Sequence, residues 1–178
     1  MMSDLVIRPA RREDVPAITA LYNRYVTDTA VTFDVEPASV EQRLVWFGLF
    51  NLTGPLRLLV AEAEGAFAGY AGTLQFRVKE AYRTSVETTL YIHPDFQRKG
   101  VGLRLYGSLF DALKDEDVHR AYAGITVPNE PSIVLHERAG FRHIGTYSEV
   151  GFKLGQYHDV AWYERAVNIP ANRANNEA

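Results

Sequence analysis

The stretch Gln97-Arg98-Lys99-Gly100-Val101-Gly102 puts two cations and two glycines where an apolar strand gives way to a helix. Glycine lets a backbone come close to a ligand, and the free N–H groups of a helix entrance attract anions. The segment therefore reads as a diphosphate site, although a Gly-x-Gly at a helix start is by itself more often only a turn. It is not a P-loop, because no Gly-Lys-Ser/Thr follows at the required spacing. The third glycine and the later acidic residue of a dinucleotide fingerprint are not convincingly placed either.

Just upstream, inside the strand, stands a lone carboxylate, Glu87. On an edge strand it would simply face water. Its neighbours Val86, Thr88 and Leu90 instead mark a strand buried on at least one face, and burial raises a carboxyl pKa. A base poised nearer neutrality suits proton abstraction. His136, near a helix end, reads either as an ordinary partly exposed residue or as a partner of the C-terminal helix dipole. Arg77-Val78-Lys79 precedes the strand and, on its own, reads as a solvated loop. The five histidines show no ligand spacing, so no metal is expected. The absence of cysteine excludes disulfides, thiol nucleophiles and Cys-ligated metal.

The surrounding elements must position these groups. Leu5 to Pro9 reads as an opening strand. Val15, Ile18, Leu21, Tyr22, Tyr25 and Val26 recur at spacings of three and four, the buried face of a helix, with Pro16 tolerated in its first turn. Residues 27–36 form an irregular loop whose Phe33 either plugs the core or lines a ligand site. Ser39 and Gln42 have capping-box spacing and start a second helix, which takes in Leu44, Trp46, Phe47 and Phe50 and stops at Thr53-Gly54-Pro55. Strands over 56–61 and 66–76 flank a turn at Glu64-Gly65, and Gly69 and Gly72 suggest a bulge or a close backbone approach.

In the central strand, 84–93, alternation places Val86, Thr88, Leu90 and Ile92 on one face and Glu87, Thr89, Tyr91 and His93 on the other. A helix through Val101, Leu105, Leu109 and Leu113 follows. Then come a strand over 121–127, a short helix over 133–139 stopped by Gly140, and closing strands over 141–147 and 152–165. Residues 1–167 read as one α/β domain, and 168–178 as a polar, disordered tail.

Hydrophobic residues at 47% and charged residues at 23% are ordinary for a globular protein. A net charge of -3 lacks the basic excess of a nucleic-acid binder. No apolar run approaches the ~20 residues that span a bilayer, and the N-terminus does not resemble a signal peptide. A cytoplasmic protein with neither nucleic-acid nor membrane partners is expected.

Taken in order, the glycine turn, Asn129-x-x-Ser132 and Leu135-His136-Glu137-Arg138-Ala139-Gly140-Phe141 resemble the GNAT superfamily of N-acetyltransferases, over nearly the whole chain from Ile7-Arg8-Pro9 to about Arg165. The resemblance implies an acyl-CoA N-acyltransferase fold: a mixed, mostly antiparallel central sheet, splayed at the acetyl-CoA site and flanked by helices. It implies that backbone groups of Leu90, Tyr91 and Ile92 hold the acetyl and pantetheine portion. Arg98, Lys99, Gly100, Val101, Gly102 and Leu103 would wrap the pyrophosphate. Asn129, with Ser132, would meet the pantetheine arm.

Tyr22-Asn23, Thr32-Phe33, Phe76-Arg77, Ala81-Tyr82, Val86-Glu87, Leu135-His136 and His158-Asp159 are similar to the phosphinothricin and methionine sulfoximine acetyltransferase branch. That branch implies a homodimer acting on the α-amino group of small amino-acid analogues. Glu87 would be the general base, and His136 a second acid/base or a group orienting Glu87. Phe33, Arg77, Val78, Lys79, Thr88 and Thr89 would form the substrate pocket. Lys79 departs from the second arginine expected there. His158-Asp159 is either a partner-subunit site or a strand-end turn. Another amine acceptor (polyamine, aminoglycoside or protein N-terminus) and a non-catalytic CoA-binding module are the alternatives.

Overall fold

The computed structural model describes residues 4–168; the tail expected beyond them lies outside the described residues. Seven strands form one mixed sheet in the order β1-β2-β3-β4-β5-β7-β6. They are β1 (Leu5–Pro9), β2 (Leu58–Ala63), β3 (Ala66–Gln75), β4 (Ser85–Ile92), β5 (Arg120–Val127), β6 (Arg142–Lys153) and β7 (Gln156–Ala166). Every neighbouring pair is antiparallel except β4 and β5. The helices are α1 (Val15–Asp28), α2 (Val40–Phe47), α3 (Val101–Ala112) and α4 (Glu130–Arg138).

Strand alternation divides the core into two layers. Leu59, Ala61, Val86 and Ile92 turn one face towards Val101, Leu105, Tyr106 and Leu109 of α3. Leu58, Val60 and Tyr70 turn the other face towards Ile18 and Leu21 of α1. Leu105 and Leu109 are wholly buried, and each such side chain contributes about 1.5–3 kcal/mol. The entrance to α1 is braced by Arg8, which donates to both Asp14 carboxylate oxygens at 2.7 and 2.8 Å and also reaches Glu62.

Local signals explain most boundaries. The Ser39–Gln42 capping box forms, with Gln42 N–H donating to Ser39 Oγ at 3.2 Å and Ser39 N–H to Gln42 Oε1 at 2.8 Å. The helix it starts ends sooner than expected, at Phe47. Leu49 and Phe50 N–H donate three residues back, to Trp46 and Phe47 carbonyls, so the last turn tightens and Phe50 falls outside α2. Glu64 and Gly65, both left-handed at φ 54° and 76°, close the β2–β3 hairpin. At Gly69 (φ 152°) the register skips, and a Cβ there would overlap the Tyr91 carbonyl oxygen.

The end of the chain differs most from expectation. β6 does not stop at Tyr147. It bulges between Tyr147 and Gly151, continues to Lys153, and turns at Leu154-Gly155, both left-handed. The Asp159 carboxylate accepts from Glu149 N–H at 2.7 Å and so satisfies the looped-out backbone. His158 and Asp159 therefore lie inside β7 and are not a strand-end turn. α4 begins at Glu130 because Asn129 Oδ1 accepts from Ser132 N–H at 3.3 Å. Gly140 (φ 85°) ends it, with Phe141 N–H returning to the His136 carbonyl at 3.0 Å. Asn168, expected to open the tail, is held by Nδ2 bonds to the Leu113 and Glu116 carbonyls at 3.0 and 2.9 Å.

Candidate active site

β4 and β5 pair only over Ser85↔Arg120, Val86↔Ala121 and Glu87↔Tyr122. Beyond Glu87 they diverge, while β4 stays on β3 as far as Ile92 and β5 stays on β7 as far as Val127. The sheet thus forks, and the Thr88 hydroxyl donates to the Tyr122 carbonyl at 3.2 Å just past the last backbone pair. A cavity of about 570 Å³ fills the fork and extends beneath the loop after α1. Glu87, Thr88, Thr89, Leu90, Tyr91, Asn129, Ser132, His136 and Phe33 all line it.

Glu87 is half-buried, and no protein side chain or backbone group among the described residues hydrogen-bonds its carboxylate. Burial pushes its carboxyl pKa up, partly opposed by the positive field of Arg77. Arg77, Val78 and Lys79 do not line the cavity. The Arg77 guanidinium stacks 4.4 Å from the Phe76 ring centre and donates to its own neighbour's carbonyl at 3.1 Å; Val78 is 91% exposed. Short of the strand, the loop turns these side chains outwards, so Arg77 reaches Glu87 only through its charge.

His136 lies in the last turn of α4, as its position near a helix end implies, but it is buried rather than partly exposed. Its Nδ1 lies 2.7 Å from the Ser132 carbonyl and its Nε2 2.8 Å from the Tyr106 hydroxyl. The carbonyl can only accept, so Nδ1 carries the proton and Nε2 accepts from Tyr106. Burial lowers the imidazole pKa and keeps the ring neutral. The Tyr106 hydroxyl in turn lies 3.2 Å from Thr88 Oγ1. Both ring nitrogens are thereby engaged, and neither bonds Glu87, whose orientation is one of the two roles the resemblance implies for His136.

The glycine turn follows the open end of β4, outside the cavity lining. Arg98 and Gly100 are left-handed (φ 58° and 82°), and Arg98, Lys99 and Leu103 are exposed. The first return bond of α3 runs from Arg104 N–H to the Gly100 carbonyl at 3.2 Å, which leaves the N–H groups of Val101, Gly102 and Leu103 to a ligand or to water. Gly102 is pressed against Leu135 with no room for a Cβ unless that side chain moves. Acetyl-CoA fits this donor set. Free helix N–H groups and two cations suit its pyrophosphate, and the unpaired edge of β4 between Thr88 and Ile92 suits the amide-bearing arm. No group of three His, Cys, Asp or Glu residues placed to hold a metal occurs among the described residues.

Several lining residues, Tyr70 among them, escaped sequence reasoning. Tyr70 clusters with Tyr22 of the expected branch signature and Tyr91 of the expected cofactor strand, the Tyr22 and Tyr70 ring centres lying 5.2 and 5.4 Å from that of Tyr91. Their spacing reads simply as core. The loop over the cavity is tied down by Tyr22 O–H to Asp34 Oδ2 at 2.6 Å and by Lys153 Nζ to the Thr32 carbonyl at 2.7 Å. Phe33 packs on Gly151, where a Cβ would overlap its ring. Tyr147, Val150 and Trp162 come from the far hairpin. Arg43 of α2 also lines the cavity, and only the polar face of a helix pattern could have hinted at it.

The Acetyltransferase (GNAT) domain family model matches residues 7–162. A phosphinothricin N-acetyltransferase of Streptomyces coelicolor is 53% identical over 92% of this chain and 96% of its own length. An L-methionine sulfoximine/L-methionine sulfone acetyltransferase of Salmonella typhimurium is 34% identical over 90% and 93%. The crystal structure of a phosphinothricin acetyltransferase from Sinorhizobium meliloti in complex with acetyl-CoA superposes with a TM-score of 0.87 at 30% identity, covering 97% of this chain and 92% of that one. The forked sheet, the glycine turn at the mouth of the fork and these matches along almost the whole length place the chain among the GNAT acetyltransferases.

Proposed function

We propose that this enzyme acetylates the α-amino group of small amino-acid analogues such as L-phosphinothricin, methionine sulfoximine or methionine sulfone. The observation that carries the reading is a half-buried carboxylate with a raised pKa, Glu87, at the crotch of a fork whose mouth is built to hold acetyl-CoA. The names of the relatives support the acceptor class. A thioester supplies the activated acyl group when bound. Glu87 removes the proton from the acceptor ammonium, directly or through one water. The stretch Leu90 to Ile92, which stays on β3 but has parted from β5, holds the acyl end through the N–H groups on its open side, so donors are already in place where charge develops. The Ile92 carbonyl is taken by the Tyr25 hydroxyl at 2.7 Å. Arg98 to Leu103 and Asn129 hold the rest of the carrier. Tyr106 lines the cavity with its one hydroxyl proton directed at His136 Nε2, and that hydroxyl would have to turn from the imidazole to protonate a departing thiolate. Because the chain contains no cysteine to carry the acyl group, transfer is direct.

The same reading has the enzyme act as a cytoplasmic homodimer in detoxification or resistance. Phe152, Leu154 and Tyr157 at the tip of the β6–β7 hairpin are each largely exposed, and this apolar tip adjoins the cavity-lining Tyr147 and Val150, which fits a pocket beside a subunit interface. A thiol-release assay tests the acceptor: turnover with these amino-acid analogues and little with polyamines or aminoglycosides supports it, and the reverse order refutes it. Binding of acetyl-CoA without turnover of any amine would favour a non-catalytic module.

A further inference from the structure

Arg43 is the one buried residue of α2, at 8% exposure. Its guanidinium carbon lies 3.8 Å from the Tyr22 ring centre and 4.3 Å from that of Trp46. Nε and Nη2 are closed off from water and have no hydrogen-bond partner, and no carboxylate among the described residues forms an ion pair with it. Asp34, the acid near this wall, is engaged by the Tyr22 hydroxyl. Guanidinium cannot shed its charge at physiological pH, and a buried charge without a counter-ion is strongly destabilising. Stacking on two aromatic faces offsets part of that cost. An apolar residue on this helix face would be more stable, so the charge is left unexplained by packing.

The charge also lines the cavity, on the wall formed by Tyr22, Tyr70, Tyr91 and Trp46, whereas Arg77 stands outside it. We propose that Arg43 recognises the anionic group of the acceptor, which becomes its missing counter-ion in the complex. The inference rests on the acetyl-transfer reading above and deepens it: acceptors must be anionic or zwitterionic, and a polyamine would meet an uncompensated positive wall. Both the α-carboxylate and a side-chain phosphinate have the required chemistry.

R43M and R43K are compared with the wild type in steady-state thiol release, using methionine sulfone, L-phosphinothricin and the α-carboxamide of each. R43M is expected to raise KM for the anionic acceptor by about tenfold or more, the scale of a lost charge-assisted hydrogen bond. R43K, which keeps the charge but not the fork, falls between. A rise confined to the two free acids identifies the carboxylate as the anion. A rise confined to phosphinothricin, acid and amide alike, identifies the phosphinate. Unaltered KM for every anionic acceptor in both variants overturns the proposal and leaves acetyl transfer standing. A wild-type protein that binds acetyl-CoA yet acetylates none of the four compounds overturns the acetyl-transfer reading itself. If circular dichroism shows R43M unfolded, R43K carries the same comparison.

Discussion

Glu87 and Tyr122 are the last residues that β4 and β5 share before the sheet opens. The carboxylate therefore sits where rigid, paired backbone meets a cavity. Such a position combines burial, which raises the pKa, with access to a substrate. Glu87→Gln is expected to lower kcat by about 10²-fold or more, the usual contribution of a general base, while acetyl-CoA affinity changes little. Isothermal titration and steady-state kinetics check this together, and an unchanged kcat removes Glu87 from the role of base.

The same group predicts a pH profile. Its carboxyl is raised by burial, and only the ionised form accepts a proton. Activity should therefore climb as pH rises through a value above the ordinary carboxylate range, then level off. His136 contributes no acidic limb near neutrality, because burial lowers its pKa and holds it neutral. A kcat/KM profile whose acidic limb falls at or below the ordinary glutamate value would contradict this assignment of Glu87.

Tyr106 and His136 form a buried pair at 2.8 Å. Tyr106→Phe removes one hydroxyl and keeps the ring packing against Phe110 and Phe141. If the hydroxyl donates a proton during turnover, kcat should fall about 10- to 100-fold with KM nearly constant. A purely structural pair would instead lower Tm and leave kcat intact.

Gly69 is held at φ 152° beneath the Tyr91 carbonyl. Gly69→Ala should destabilise the protein by about 1–3 kcal/mol, through backbone strain and overpacking. The lost stability would come from the β3–β4 pair that carries the site. Urea denaturation measures the change; an unaltered midpoint would mean that β4 can shift away at no cost.

Arg8 grips Asp14 and Glu62 at the start of α1. Burial alone would raise the Asp14 carboxyl, but bonds from the Arg8 guanidinium and the Arg11 N–H outweigh it and hold the pKa below its usual value. A depressed carboxylate contributes stability above its unfolded pKa and loses it as pH falls through the folded one. Arg8→Met should therefore lower Tm at pH 7, with the gap to wild type narrowing as the pH drops below about 4. Thermal melts across that range check the sign.

At the tip of the far hairpin, Phe152 and Leu154 are exposed. If this surface is the dimer contact, Leu154→Glu should convert a dimer to a monomer in light scattering. A wild-type protein already monomeric at micromolar concentration would refute the expected assembly.

Much of this molecule was legible in order along the chain. Helical spacing marked α1 and α3, the Ser39–Gln42 pair marked the start of α2, and period-two alternation put Glu87 and Tyr91 on one face of β4. These are properties of neighbours in sequence, set by helix and strand geometry. The glycine turn was legible for the same reason, since its conformation depends on the residues it contains. Three features were decided only by tertiary structure. The β6–β7 boundary moved because Asp159, ten residues from Glu149, satisfies a bulge that local polarity mistook for a turn. Arg77 turned away from the cavity because Phe76 offers its guanidinium a ring. Arg43 became a cavity wall because burial and the want of a counter-ion depend on what α1 and β3 bring against α2, and a helix pattern carries no record of that.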